Sequence, residues 1–277
     1  MSEPVKPDSD PGAVVQRVIR EQKRFEDQRA SVLGQGAERL TAPLGGLISR
    51  LIPAGVVRSA LRQADRMAGL TVPTEITSHD INDAAACDAA ALRVQGWAQG
   101  SNAATGGVAG WFGAAGLAAD VPATIALAAR NVRATGAAYG FVQDSEAEQV
   151  YRLMVLEVAT SLASGKRQQA LDGMGDLARR LSSPEARILM DKGGDWLVEK
   201  IVERVSRQLG ISLAARKAGQ VVPVVGGVVA AAVNASFQVD VARAARYAYR
   251  MRWLIERRML PAPDAGEPDA GDQEAKT

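Results

Sequence analysis

Residues 94–120 read VQGWAQGSNAATGGVAGWFGAAGLAAD, with no charged side chain between Arg93 and Asp120. Glycines at 106, 107, 110, 113 and 116 recur at spacings near three and four. That period matches one face of a helix, and small residues on such a face let two backbones approach closely. A second uncharged run, residues 218–239, reads AGQVVPVVGGVVAAAVNASFQV. It is rich in valine, but helical patterns flank it on both sides. Each run ends at an aspartate, Asp120 or Asp240, with an arginine ten residues later, Arg130 or Arg250. The expectation is therefore an all-α, compact multi-helix bundle holding two Gly/Ala-rich, close-packed helical segments.

Neither run is a convincing membrane span, which needs ~20 predominantly apolar residues. Gln99, Ser101 and Asn102 interrupt the first; Gln220, Pro223, Asn234, Ser236 and Gln238 interrupt the second. A buried helical hairpin ranks first. An element entering one leaflet, with Trp111-Phe112 at the interface, ranks second, and a two-span protein third.

Helix signals continue outward from these runs. Val14, Val15, Val18 and Ile19 form an apolar stripe ahead of the charged run 20–29, which predicts a first amphipathic helix. A second is predicted over 54–67, after a short segment, 44–52, between two prolines. Ser78 is placed as the cap of a helix running through 84–91 toward Trp97. Asp120-Val121-Pro122 reads as a cap with a first-turn proline, opening a helix that ends near Gly140. Ser145 and Glu148 form a capping box before 150–163. Ser183-Pro184-Glu185 starts another helix, which Gly193-Gly194 is expected to break, with Asp195 capping 196–209. The last helix is placed from about Asn234 to Met259, ended by Pro261.

The composition agrees with a tightly packed helical core: 47% hydrophobic, yet only 4% aromatic, with 27 glycines in 277 residues. It excludes a collagen-like, disulfide-scaffold or wholly disordered chain. The net charge is +2. The ends, 1–13 and 262–277, carry −2 and −4, and removing them from +2 leaves +8 on the body. Residues 1–11 and 261–277 are thus expected to be disordered acidic tails flanking one helical domain over 12–260. The start is acidic and polar rather than a signal peptide, so a cytoplasmic protein, peripheral to the inner face of the membrane, is the expectation. Cys87, the single cysteine, reads as a buried structural thiol.

The basic body draws attention to the last helix. Arg243, Arg246, Arg250, Trp253 and Arg257 follow spacings of three and four and share one face. A solvated or internally paired face is the first reading of this ridge. A surface for anionic phospholipid is the second. Nucleic acid is ranked last, because no recognised binding signature accompanies the charge.

Enzymatic chemistry has little to work with. His79 is the only histidine, and its neighbourhood, Ser78-His79-Asp80, reads as a helix start. No nucleophile elbow, zinc-protease or phosphate-loop motif occurs. No catalytic residue, metal or cofactor is assigned. The remaining enzymatic alternative is a lipid or amphiphile substrate with Asp120 or Asp240 as the acid/base group.

Two patterns resemble the motifs of the EcsC protein family. The first runs Gly116-Leu117-Ala118-Ala119-Asp120-Val121-Pro122, then Arg130 and Tyr139-Gly140. The second runs Pro223-Val224-Val225-Gly226-Gly227, then Asn234, Phe237, Asp240, Arg243 and Arg246. The pair spans about 60–258 in the expected order. The resemblance implies a helical bacterial protein without established catalytic residues. The family's name comes from a gene beside ABC-transporter genes, which implies an accessory role at the membrane or with a transporter. Asp120, Tyr139, Asn234, Asp240 and Arg246 occupy the polar places of the motifs.

Overall fold

The computed structural model describes residues 11–27, 54–111, 113–161, 164–217 and 226–260. The acidic tails apart from Pro11, the segment 44–52 and the centre of the second glycine-rich run at Pro223 lie outside the described residues. The chain is all-α, and no strand occurs among the described residues. In chain order the helices are α1 (Pro11–Asp27), α2 (Ala54–Thr71), a 3-10 turn (Thr74–Thr77), α3 (Ala84–Trp111) and α4 (Gly113–Ala138). They continue with α5 (Glu146–Thr160), α6 (Ser164–Leu181), α7 (Pro184–Lys217) and α8 (Gly226–Glu256).

The first glycine-rich run is helical backbone on both sides of residue 112. Arg130 lies over the Trp97 ring, 3.6 Å from its centroid, and the Tyr139 hydroxyl donates to Asp88. Later residues of α4 thus meet earlier residues of α3, so the two helices are antiparallel and the chain reverses near residue 112. Helix α8 runs alongside both. Its Arg250 meets Asp88 and its Trp253 meets Ile81, antiparallel to α3. On the α4 side, Gln238 bonds Thr124 and Asn131, and Tyr249 packs on Gly136.

Helix α5 is the centre of the core, buried from Ala147 to Thr160 at every residue but Gln149. It packs against α6, α7 and α8, while α2 bridges α4 and α7. The apolar stripe of α1 faces the core, with Val18 buried and Val14, Val15 and Ile19 packed against it.

Four local expectations change. Asp83, not Ser78, caps α3: its carboxylate accepts from the Ala85 amide at 2.8 Å, while the Ser78 hydroxyl donates to the Glu75 carbonyl. Helix α4 begins at Gly113, so Pro122 sits inside it. The lost backbone bond is tolerated because Val121, Ile125 and Ala128 beside it are buried. Gly193-Gly194 does not break α7. Each interior glycine costs ~1 kcal/mol, and burial of Ile201, Val202, Val205 and Leu209 outweighs that. Helix α8 starts at Gly226 rather than Asn234.

Three arginine–carboxylate pairs tie these helices together. Arg152 of α5 holds Asp65 of α2 through two hydrogen bonds, 2.7 and 2.9 Å. Arg250 of α8 holds Asp88 of α3 at 2.6 Å through each of two nitrogens. Arg252 of α8 holds Glu148 of α5. Fork-to-fork geometry fixes orientation as well as distance. A core of alanine and valine has few large shapes to interlock, so these pairs set the register that packing alone leaves loose.

Candidate anion-binding cleft

Helix α1 lies across α8 and closes a cleft of about 230 Å³ lined by Glu21, Arg24, Phe25, Arg243, Arg246 and Arg250, among others. Local sequence explains the docking. Gln22, buried, donates to the Tyr247 carbonyl at 2.9 Å. Phe25 stacks on Tyr247 with ring centroids 4.7 Å apart. The Tyr247 hydroxyl donates to Glu26 at 2.5 Å, and Arg167 of α6 donates to the Phe25 carbonyl at 3.0 Å.

Within the cleft the arginines are not equivalent. Arg250 is buried between two carboxylates, Asp88 and Glu21, the latter 2.6 Å from its third nitrogen. Those partners hold its pKa above the ordinary arginine value despite burial. Arg246 is half-buried, and its Nε has no hydrogen-bond partner. Burial first, and Arg250 next to it second, pull its pKa down. Arg243 and Arg24 are exposed at the mouth. With Asp88 and Glu21 engaged by Arg250, the cleft keeps an excess of positive charge centred on Arg246. Guanidinium groups converging in this way suit a tetrahedral or planar oxyanion.

The predicted ridge therefore divides. Arg243 and Arg246 reach the cleft. Trp253 is buried, its indole N–H donating to the Ile81 carbonyl at 2.8 Å. Arg257 stacks on Trp253 and donates to the Ile81 carbonyl at 2.9 Å, so it is spent on the α3 entry loop.

The motif residues separate similarly. Tyr139 lies behind the cleft on Asp88, and burial together with that carboxylate pushes its pKa well up. Gly140 ends α4 with φ of 88°, the left-handed conformation that favours glycine. Asp120 and Phe237 are buried, and Asp240 is half-buried near Arg167. Gly116 and Gly226 are helical backbone; Pro223 and the Asn234 side chain lie outside the described residues.

The sequence reading did not single out Asp88, Glu21, Asp65, Arg152 or Arg252. Asp88 alone left a local sign, as the one charge inside the apolar run 84–92. His79 is a clip rather than a cap: its Nε2–H donates to the Ala138 carbonyl at 2.8 Å, where α4 ends. No group of side chains suited to a metal ion occurs among the described residues.

Comparison with curated proteins and with solved structures gave no match. Residues 16–254 match the sequence profile of the EcsC protein family, a span that begins within α1 and closes near the end of α8. Both walls of the arginine cleft therefore lie inside the shared region, and the chain belongs to the EcsC protein family.

Proposed function

We propose that this chain is a non-enzymatic membrane-peripheral protein that binds an anionic phospholipid surface through Arg24, Arg243 and Arg246. The observation that carries this reading is the position of those arginines relative to the line where charge ends. Trp97 stands nine residues beyond Asp88 on α3, and Val241 stands nine residues before Arg250 on α8. At 1.5 Å per residue, both lie about 13 Å from the Asp88–Arg250 pair, at the level of Arg130. Beyond that level, α3, α4 and α8 carry two charged residues: Asp120, which is buried, and Asp240, which is half-buried one residue past Val241.

Trp97, 49% exposed and capped by Arg130, stands at this boundary. Arg243 and Arg246 lie within about 8 Å of it along α8. A bundle end whose two charges on these helices, Asp120 and Asp240, are not exposed, bordered by tryptophan and arginine, suits shallow entry into one leaflet, where rings and guanidinium groups sit among headgroups. No helix among the described residues is long and apolar enough to cross a membrane, which favours entry over spanning.

Flotation with vesicles tests the reading. The chain should float with vesicles containing phosphatidylglycerol, float less as salt rises, and stay behind with pure phosphatidylcholine. At ~1 kcal/mol per basic residue, Arg243→Gln with Arg246→Gln should weaken binding roughly thirtyfold. Equal flotation with both vesicle types, or an unaffected double variant, overturns the arginine contact.

A further inference from the structure

A second cavity lies away from the arginine cleft, where α5, α6 and α7 diverge. Its volume is about 580 Å³, within the range of small-molecule sites. The walls have two characters. Met154, Ala170 and Ile211 supply apolar surface, and Gly173 leaves the floor without a side chain. Lys166, Arg204 and Arg207 supply positive charge against a single lining carboxylate, Glu157.

The polar groups at the α5 end are ordered. Arg204 pairs with Glu157 at 2.8 Å, and the Gln208 amide donates to the Ser161 hydroxyl at 2.6 Å and to the Glu157 carbonyl at 3.0 Å. Two groups are left over. Lys166 is exposed at the rim with no ion pair among the described residues. Ser212 is 0% exposed, lines the cavity, and its hydroxyl has no hydrogen-bond partner. A buried hydroxyl left unpaired costs free energy, which an incoming acceptor would relieve.

We infer that this cavity binds a single anionic amphiphile, its alkyl part against Met154, Ala170 and Ile211 and its carboxylate or phosphate head between Lys166 and the Ser212 hydroxyl. The inference does not depend on the membrane reading, because the cavity is on a different set of helices and needs no bilayer. Neutral amphiphiles lack the charge that Lys166 answers. Inorganic anions lack the surface that would cover the apolar wall. Gly173 matters to the fit: a Cβ there would lie 3.3 Å from the Met154 Cε, so any larger side chain fills the floor.

Titration calorimetry on the full chain, below micelle-forming concentrations, tests this with decanoate, decyl phosphate, decanol and inorganic phosphate. Decanoate and decyl phosphate should bind one per chain, at least tenfold more tightly than decanol or phosphate. A preference between the two would identify the head. Gly173→Leu should abolish decanoate binding with helix content unchanged, and Lys166→Glu should weaken it at least tenfold. If Gly173→Leu loses helix content, Lys166→Glu, on an exposed side chain, decides alone. Decanol binding as tightly as decanoate, phosphate binding as tightly as decyl phosphate, or an unaffected Lys166→Glu each overturns the inference. Vesicle binding lost while decanoate binding persists would count against the membrane reading only.

Discussion

Arg252 and Glu148 meet through two hydrogen bonds, 2.7 and 2.5 Å long, between α8 and the first turn of α5, with side-chain exposures of 0% and 5%. Ser145 caps α5, accepting from the Glu148 amide at 3.4 Å. The glutamate side chain that would complete the capping box is drawn instead to Arg252. The guanidinium also lies over the Phe141 and Tyr151 rings, 4.2 and 5.1 Å from their centroids. One residue pair thus joins two helices, a cap and an aromatic cluster.

Removing one partner of this pair should be expensive. Glu148→Ala leaves a buried arginine with only Glu256, 3.2 Å away, and the expected loss is ~3–5 kcal/mol in urea unfolding. Replacing both residues by methionine should recover most of that loss. If Glu148→Ala unfolds at the wild-type urea concentration, the pair contributes nothing to stability.

Glycines should respond to alanine according to what their Cβ would meet. At Gly136 it would lie 2.7 Å from the buried Tyr249 ring, so Gly136→Ala should cost about 2 kcal/mol through overpacking. At Gly140 the positive φ adds backbone strain, and ~1 kcal/mol of loss is expected. Gly96 is exposed in the middle of α3 with open space around it, so alanine there should stabilise by ~0.5–1 kcal/mol. Thermal melts of the three variants should rank in that order.

All four tyrosines, Tyr139, Tyr151, Tyr247 and Tyr249, have pKa values pushed up, with burial the largest cause in each. The folded state therefore holds the phenol proton more tightly than the unfolded chain. That stability is fully present below about pH 10, the ordinary tyrosine pKa, and is lost as pH rises beyond it. Absorbance of tyrosinate should stay flat until the chain unfolds and then rise in one cooperative step. Gradual ionisation at pH 10 in a protein that keeps its helix signal would contradict this.

Burial also pushes the Cys87 thiol up to about 11, the effect of nearby aspartates adding to it and Arg257 opposing. At pH 8 its thiolate fraction is about a hundredth of an ordinary thiol's. Labelling with a disulfide reagent should be at least a hundredfold slower in the native protein than in urea. Equal rates would mean that α3 opens readily around residue 87.

Periodicity and turn chemistry were enough to place α1, α2 and the starts of α5 and α7, because each has an apolar stripe or a cap within a few residues. They failed where burial outweighed a local breaker, at Pro122 and at Gly193-Gly194. The ridge on α8 was legible as a face, since spacing fixes which residues share a side. Its division was not, because the carboxylates engaging Arg250, Asp88 and Glu21, come from helices 162 residues or more away in the chain.

Helix content, the family motifs and the uncharged character of residues 94–119 and 218–239 are properties of local order, and the amino-acid sequence by itself determined them. Only the tertiary structure decided which arginines are neutralised and which face a cleft. It also decided that Ser161, Gln208 and Ser212 meet Lys166 around one cavity. Charge pairing and cavity shape depend on distances between helices, and those distances follow from how the whole core packs rather than from any one segment.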